Sequence, residues 1–323
     1  MIYIITNFDN TYPGYILEGI NNKSEIRIIP KRFTFPTSKY LQITRCLFVG
    51  RAVKLPLRIL SIWFDPDVLK MIAAINPDDH LVLDGVSNPR ICKMIKDIAP
   101  RGVVIYNYFS NPISSVYHNN ARNIIQAIKD LGIIVYTFDS NDADKYGIKR
   151  YKQFLRFPDY VDIGRMEYDF FFCGLPKDRE KELSSLKEYL CSKGYKCMFI
   201  TPKDKSELIP YTKYLDYIRK SRCLIDISQK AQAGLTRRPL EALFFEKKLL
   251  TYNPMVKEED FYNGNNINIL VNSSYDTIDE FMKKPLVLGI IASFFFAFTF
   301  ILNRSMNLSG GHFLWSASLR YIF

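Results

Sequence analysis

Metal-binding patterns are missing from this sequence. It carries six cysteines and three histidines among 323 residues. No pair of these stands at zinc-ligand spacing, so no metal built from Cys and His is expected. No glycine-rich loop ends in Gly-Lys-Ser/Thr, which argues against a P-loop. The N-terminus, Met1 to Thr6, has no basic region ahead of its apolar run and reads as a first strand, not a secretion signal. Cys46, Cys92, Cys173, Cys191, Cys197 and Cys223 are therefore read as reduced, partly buried thiols of a cytosolic chain, with Cys191 and Cys197 the pair that could bridge. Glycine (15) and proline (16) are too ordinary for a collagen-like or linker-like chain, and 48% hydrophobic residues exclude general disorder. Acid is in short supply. Forty-four Lys and Arg against 33 Asp and Glu leave a net charge of +11. Such a surplus implies an anionic partner without choosing among nucleic acid, lipid headgroup and phosphorylated small molecule.

What is present is a repeated alternation of short strands and helices. Ile2–Thr6, His80–Gly85, Val103–Tyr106 and Ile133–Phe138 read as strands, with helices at 89–98 and 121–131. A second series follows 157–158: strands at 168–173, 197–200, 223–227 and 248–252, and helices at 180–191, 214–220 and 240–245. This is the pattern of βα units on parallel sheets. It predicts an α/β chain of two Rossmann-like domains facing a cleft, over residues 1–160 and 166–284. Asp9, Asp84 and Asp139 close strands where open α/β sheets bind ligands. Helix capping is the plainer role for each.

Two stretches have a different texture. From Ile26 to Phe64 there is no acidic residue, while Arg27, Lys31, Arg32, Lys39, Arg45, Arg51, Lys54 and Arg58 alternate with apolar side chains. Three readings stay open: a core helix with a basic outer face, a helix on an anionic membrane surface, and a nucleic-acid contact. Too few stacking aromatics and too many Leu and Ile disfavour the last, and no nucleic acid is assigned as partner. Residues 285–323 lose every Asp, Glu and Lys, and 285–302 form an uncharged run. At 1.5 Å per residue that run is about 27 Å long, enough to cross a bilayer. A single transmembrane segment, a buried helix and an abnormal tail, such as a shifted reading frame, all fit.

The chemistry concentrates between Cys223 and Asn253. An apolar strand ends at Asp226, a polar loop with Gln232 and Gly234 follows, and a helix is predicted to start near Thr236 with Pro239 in its first turn. Free N–H groups there, with Thr236, Arg237 and Arg238, suit a diphosphate. Neighbouring residues on a helix diverge, so only one of the two arginines should serve, and Arg237 is favoured. Glu241 lies a turn further on, where it would meet a ribose or sugar hydroxyl. Lys177, in the loop after the 168–173 strand, and Asn253, at a later strand end, complete the donor-binding set. A capped helix with a solvated Glu241 is the competing account.

The stretch Gly234-Leu-Thr-Arg-Arg-Pro-Leu-Glu-Ala-Leu243, then Glu246 to Asn253, Asp260-Phe-Tyr262 and Asn265-Asn-Ile267, resembles bacterial glycosyltransferases of the two-Rossmann-domain (GT-B) type. More narrowly, it is similar to those of lipopolysaccharide, O-antigen and capsule gene clusters. The likeness spans about residues 1–284 and is strongest over 221–267. It implies a nucleoside diphosphate sugar held mainly by the C-terminal domain, with Glu241 at the family's acidic position. It also implies a glycan or lipid-linked glycan acceptor held by the N-terminal domain, at the inner face of an anionic membrane. The family's closing charged or amphipathic helix has no counterpart in residues 285–323.

No histidine stands where a base is needed, so Asp9 and Asp84 are the candidates for general base. No cofactor is implied. Positive side chains supply the charge that a metal would bring, and neither Asp65-Pro-Asp67 nor Asp142-Ala-Asp144 is assigned one. Two rivals remain: another sugar-nucleotide or phosphate-transferring enzyme, such as an epimerase, and a non-catalytic membrane-associated polysaccharide assembly protein.

Overall fold

The structure is a computed structural model that describes residues 1–6, 12–17, 25–31, 38–51, 53–156, 165–229, 232–271 and 274–284. Asp9 and the 285–323 tail lie outside these residues. Packing divides the chain into two compact units. The first is Met1–Arg156 with Asp204–Asp216 and Ser228–Thr236; the second is Phe157–Lys203 with Tyr217–Ile227 and Arg237–Phe323.

In the first unit, β1 (Ile2–Thr6), β2 (Ile26–Pro30), β3 (His80–Asp84), β4 (Val104–Phe109), β5 (Ile134–Thr137) and β6 (Lys149–Arg150) make one sheet. Its order is β2-β1-β3-β4-β5-β6 and every neighbouring pair is parallel. The helices of this stretch are α1 (Tyr12–Leu17), α2 (Lys39–Phe48), α3 (Leu57–Leu60), α4 (Pro66–Ala73), α5 (Pro89–Ile98), α6 (Ile113–Tyr117), α7 (Ala121–Asp130) and α8 (Ser140–Tyr146). Burial alternates along β3 and β4, so one sheet face carries the core. There Leu81, Leu83 and Ile105 pack in one cluster with Leu69, Ile72, Ile95 and Ile128 of α4, α5 and α7. Caps fix where these helices begin. Asp65 accepts from the Asp67 and Val68 amides, and Asn88 from that of Arg90, each just ahead of a proline in the first turn.

In the second unit, β7 (Tyr168–Cys173), β8 (Cys197–Ile200), β9 (Ser221–Asp226), β10 (Lys248–Thr251) and β11 (Ile267–Ile269) form a second parallel sheet, in the order β11-β10-β9-β7-β8. The remaining helices are α9 (Glu180–Ser192), α10 (Tyr211–Arg219), α11 (Arg238–Phe244) and α12 (Ile278–Lys283). Phe170, Phe171 and Phe172 are all buried. Successive strand residues face opposite sides, so β7 is covered on both faces. Each phenylalanine contributes about 1.5–3 kcal/mol of burial.

Each sheet contains a reversal in strand order. The chain steps from β1 out to β2 and returns to β3 on the other side; likewise from β7 to β8 and back to β9. The carboxyl-end loops part at such junctions, where open α/β sheets take ligands.

The α/β class with two parallel sheets agrees with the sequence reading, but several details differ. Ile26–Pro30 is a strand, and the basic stretch breaks after α2 and resumes only as the single turn α3. Helix α11 begins at Arg238 with Arg237 as its cap residue, so Thr236 does not start it. All six cysteines are free thiols. Burial pushes Cys92 up to about 12 and Cys173 to about 11. Among the described residues no helix is long and apolar enough to cross a membrane.

Candidate functional site

The β7–β9 junction gathers charge in a dry setting. Asp226 ends β9 fully buried. It pairs with Arg238 Nη1 at 3.4 Å, and Thr251 Oγ1 donates to its other oxygen at 3.1 Å. Arg238 also donates to the Cys173 carbonyl at the end of β7. Beside it lies Arg179, just before α9, donating to the Ile227 carbonyl and, at 3.0 Å, to that of Leu175. The two guanidinium carbons stand 5.5 and 5.0 Å from the centre of the Phe172 ring.

Gly174 makes room for this pair. A Cβ there would lie 3.0 Å from Arg238 Nη2 and 3.3 Å from Arg179 Nη2. Burial first, and Arg238 second, pull the Arg179 guanidinium down to about 10, with Asp226 and Asp178 opposing. Its Nε is buried and has no hydrogen-bond partner among the described residues. Only 2% of Glu241 is exposed, in the first turn of α11. Like Arg238, it acts electrostatically on the Cys173 thiol. The solvated Glu241 of the capped-helix account is thus corrected. Two guanidiniums beside an aromatic ring, Arg179 buried and Arg238 partly exposed, with a carboxylate one turn away, suit a phosphate ester carrying a hydroxylated group.

The β1–β3 junction is built differently. Thr6 Oγ1, at the end of β1, donates to Asp84 Oδ2 at 2.6 Å. Lys31, just past β2, donates to the Asp84 carbonyl. Burial lowers the Lys31 amine below its ordinary value, and the Asp84 charge opposes that shift. A half-buried carboxylate and amine stand there beside a buried hydroxyl, an arrangement able to hold and deprotonate a hydroxyl group.

The other expected residues are dispersed. Arg238 reaches the ends of β7 and β9, and Arg237 is the cap residue of α11. Lys177 is exposed, whereas Arg179, two residues on, is buried. Gln232, Gly234 and Thr236 pack with the first unit, whereas Arg237, Arg238, Glu241 and Asn253 belong to the second. Gln232 Nε2 donates to the Gly234 carbonyl at 2.8 Å. The Gly234 amide donates to Asp139 Oδ2 at 2.8 Å, and a Cβ on Gly234 would meet Asp139 Cα at the same distance. Close backbone packing is therefore what this glycine serves. Asp139 caps α8 through the Asp142 amide, the plainer of its two roles. Asn253 caps the short turn at Pro254–Glu258 by accepting from Met255. Asp65 caps α4, and Asp142 accepts from the Ile113 and Ser114 amides. Among the described residues no group of three His, Cys, Asp or Glu could hold a metal ion.

Comparison with known proteins adds information at the far end. Residues 283–323 match the family described as EmrE: Putative multidrug resistance efflux transporter. The match opens at Lys283, the last residue of α12. The chain is also similar to "Uncharacterized protein YjlA" of Bacillus subtilis (strain 168), 70% identical over 40 residues, or 12% of each chain. A second relative is an "Uncharacterized 42.1 kDa protein in intracellular alkaline protease 3'region" of Shouchella clausii. It is 58% identical over 42 residues, 13% of this chain and 11% of that protein. The chain thus covers 11% to 12% of the length of these curated relatives.

Proposed function

We propose that this chain is a glycosyltransferase of the two-Rossmann-domain (GT-B) type. It moves a sugar from a nucleoside diphosphate sugar to a hydroxyl of a lipid-linked or surface glycan in bacterial polysaccharide synthesis. The observation that carries the reading is the Arg179–Arg238 pair over Phe172 at the β7–β9 junction, with Glu241 buried in the next helix. The resemblance over 234–267 supports it, because the same segment supplies Arg238 and Glu241.

In this reading the donor diphosphate meets Arg179 and Arg238, and Glu241 accepts from a ribose or sugar hydroxyl. A carboxylate of the first unit, Asp84 or Asp9, takes the acceptor's proton as its oxygen bonds to the sugar carbon. The bond from that carbon to the diphosphate breaks, and the arginines neutralise the charge on the departing group. The test is calorimetry of the full chain in mild detergent against a panel of nucleoside diphosphate sugars. One donor should bind and be turned over with a glycan acceptor. Binding by none of them would overturn the reading.

For residues 285–302 we propose a single membrane-spanning segment that holds the α/β portion at the cytoplasmic face. The uncharged run and the efflux-transporter match over 283–323 support it. Retention in the membrane fraction after an alkaline wash is expected, and release by the wash would refute it.

A further inference from the structure

Among the described residues, helix α2 has one apolar face packed on the core and a second that stays exposed. Leu41 packs on the first unit's core, and Thr44 Oγ1 accepts from Trp63 Nε1 at 3.1 Å, which fixes the inner face. On the outer side Tyr40, Ile43 and Leu47 recur at helical spacing, and Phe48, Val53 and Ile62 extend the apolar surface. These six side chains are 54% to 73% exposed, in a helix with no buried residue. Isolated exposed apolar residues are ordinary, but six from one short stretch mark an interaction surface.

Charge identifies the occupant. Lys39, Arg51, Lys54 and Arg58 are exposed within the same stretch, and no acidic residue occurs from Ile26 to Phe64. Arg51 reaches back to the Cys46 carbonyl in the last turn of α2, the turn that also carries Leu47 and Phe48. A protein partner of ordinary surface would meet both signs of charge with both. A surface offering only cations around bulky apolar groups matches a plane that is anionic outside and hydrocarbon beneath.

We propose that the outer face of α2, with the loop to Ile62, docks on an anionic lipid bilayer. Tyr40, Ile43, Leu47 and Phe48 enter the headgroup–acyl boundary, and Arg51, Lys54 and Arg58 pair with lipid phosphates. The proposal does not depend on the transferase reading or on the tail.

The test places an environment-sensitive dye on Cys46, an exposed thiol in the last turn of α2, in full-length protein carrying Cys191→Ser and Cys197→Ser. Vesicles of phosphatidylcholine with about one-third phosphatidylglycerol should shift the dye emission to the blue, and lipid-borne nitroxides should quench it. A local dye makes the readout independent of how residues 285–323 associate. Leu47→Ser with Phe48→Ser should abolish the shift, and Arg51→Gln or Lys54→Gln should each weaken partitioning roughly fivefold. An unshifted dye, or equal shifts with pure phosphatidylcholine, would overturn the proposal. So would sedimentation showing a dimer that the Leu47 and Phe48 changes dissolve, which would make a second copy the occupant.

Discussion

The β1–β3 and β7–β9 junctions arise from the same reversal of strand order, yet they hold different chemistry. At the first, the buried Thr6 and the half-buried Lys31 both donate to Asp84. At the second, two guanidiniums flank one aromatic ring, and Arg238 pairs with the buried Asp226. Topology therefore sets where a parallel sheet opens, while the side chains that close each strand set what can enter. A single carboxylate with a hydroxyl suits proton transfer. Paired forks suit a multiply charged anion.

The comparison can be broken most sharply at Asp84. If the first junction handles the acceptor, Asp84→Asn should lower turnover about a hundredfold or more while donor affinity stays at the wild-type value. Steady-state transfer assays beside calorimetry check this, and a matching loss of donor affinity would erase the division of labour. Next in size is Arg179→Lys, which keeps the charge but gives up the planar fork. Donor binding should fall about tenfold, or about 1.4 kcal/mol, with turnover at saturating donor retained. The smallest effect concerns Lys31, whose amine burial pulls below its ordinary value. Between that lowered value and 10.5 the unfolded chain holds more protons than the folded one. Stability should accordingly rise with pH across that window and be lower beneath it. Urea unfolding at a series of pH values should show this rise in the wild type and a flatter profile in Lys31→Met.

Local physics made much of the fold legible. Helix α5 spans the predicted 89–98 because an asparagine cap followed by proline fixes its start. Strands β1, β7 and β8 also match, being short β-branched or aromatic runs bounded by polar residues. Strand β2 escaped notice because Arg27 and Lys31 made it look like part of the basic stretch, whose charge hid its pairing with β1. Which side chains of the chosen segments come together was less legible. Glu241 and Arg238 stand in the stretch that chemistry singled out. Arg179 folds onto Phe172, and nothing in a linear sequence shows which cation of a loop does so. Gly234 packs on Phe138 and Asp139, some ninety residues away, a contact that the linear pattern does not show.

The buried thiols have a practical consequence. Cys92 lies in the core of the first unit, and Cys173 and Cys223 lie in the second. With their acidity suppressed by burial, they are inert to alkylating reagents until the surrounding structure opens. Their modification rates in native buffer are therefore clocks for local opening. Mass mapping of labelled Cys92 against Cys173 and Cys223 times each unit separately within one chain, with no probe added to either.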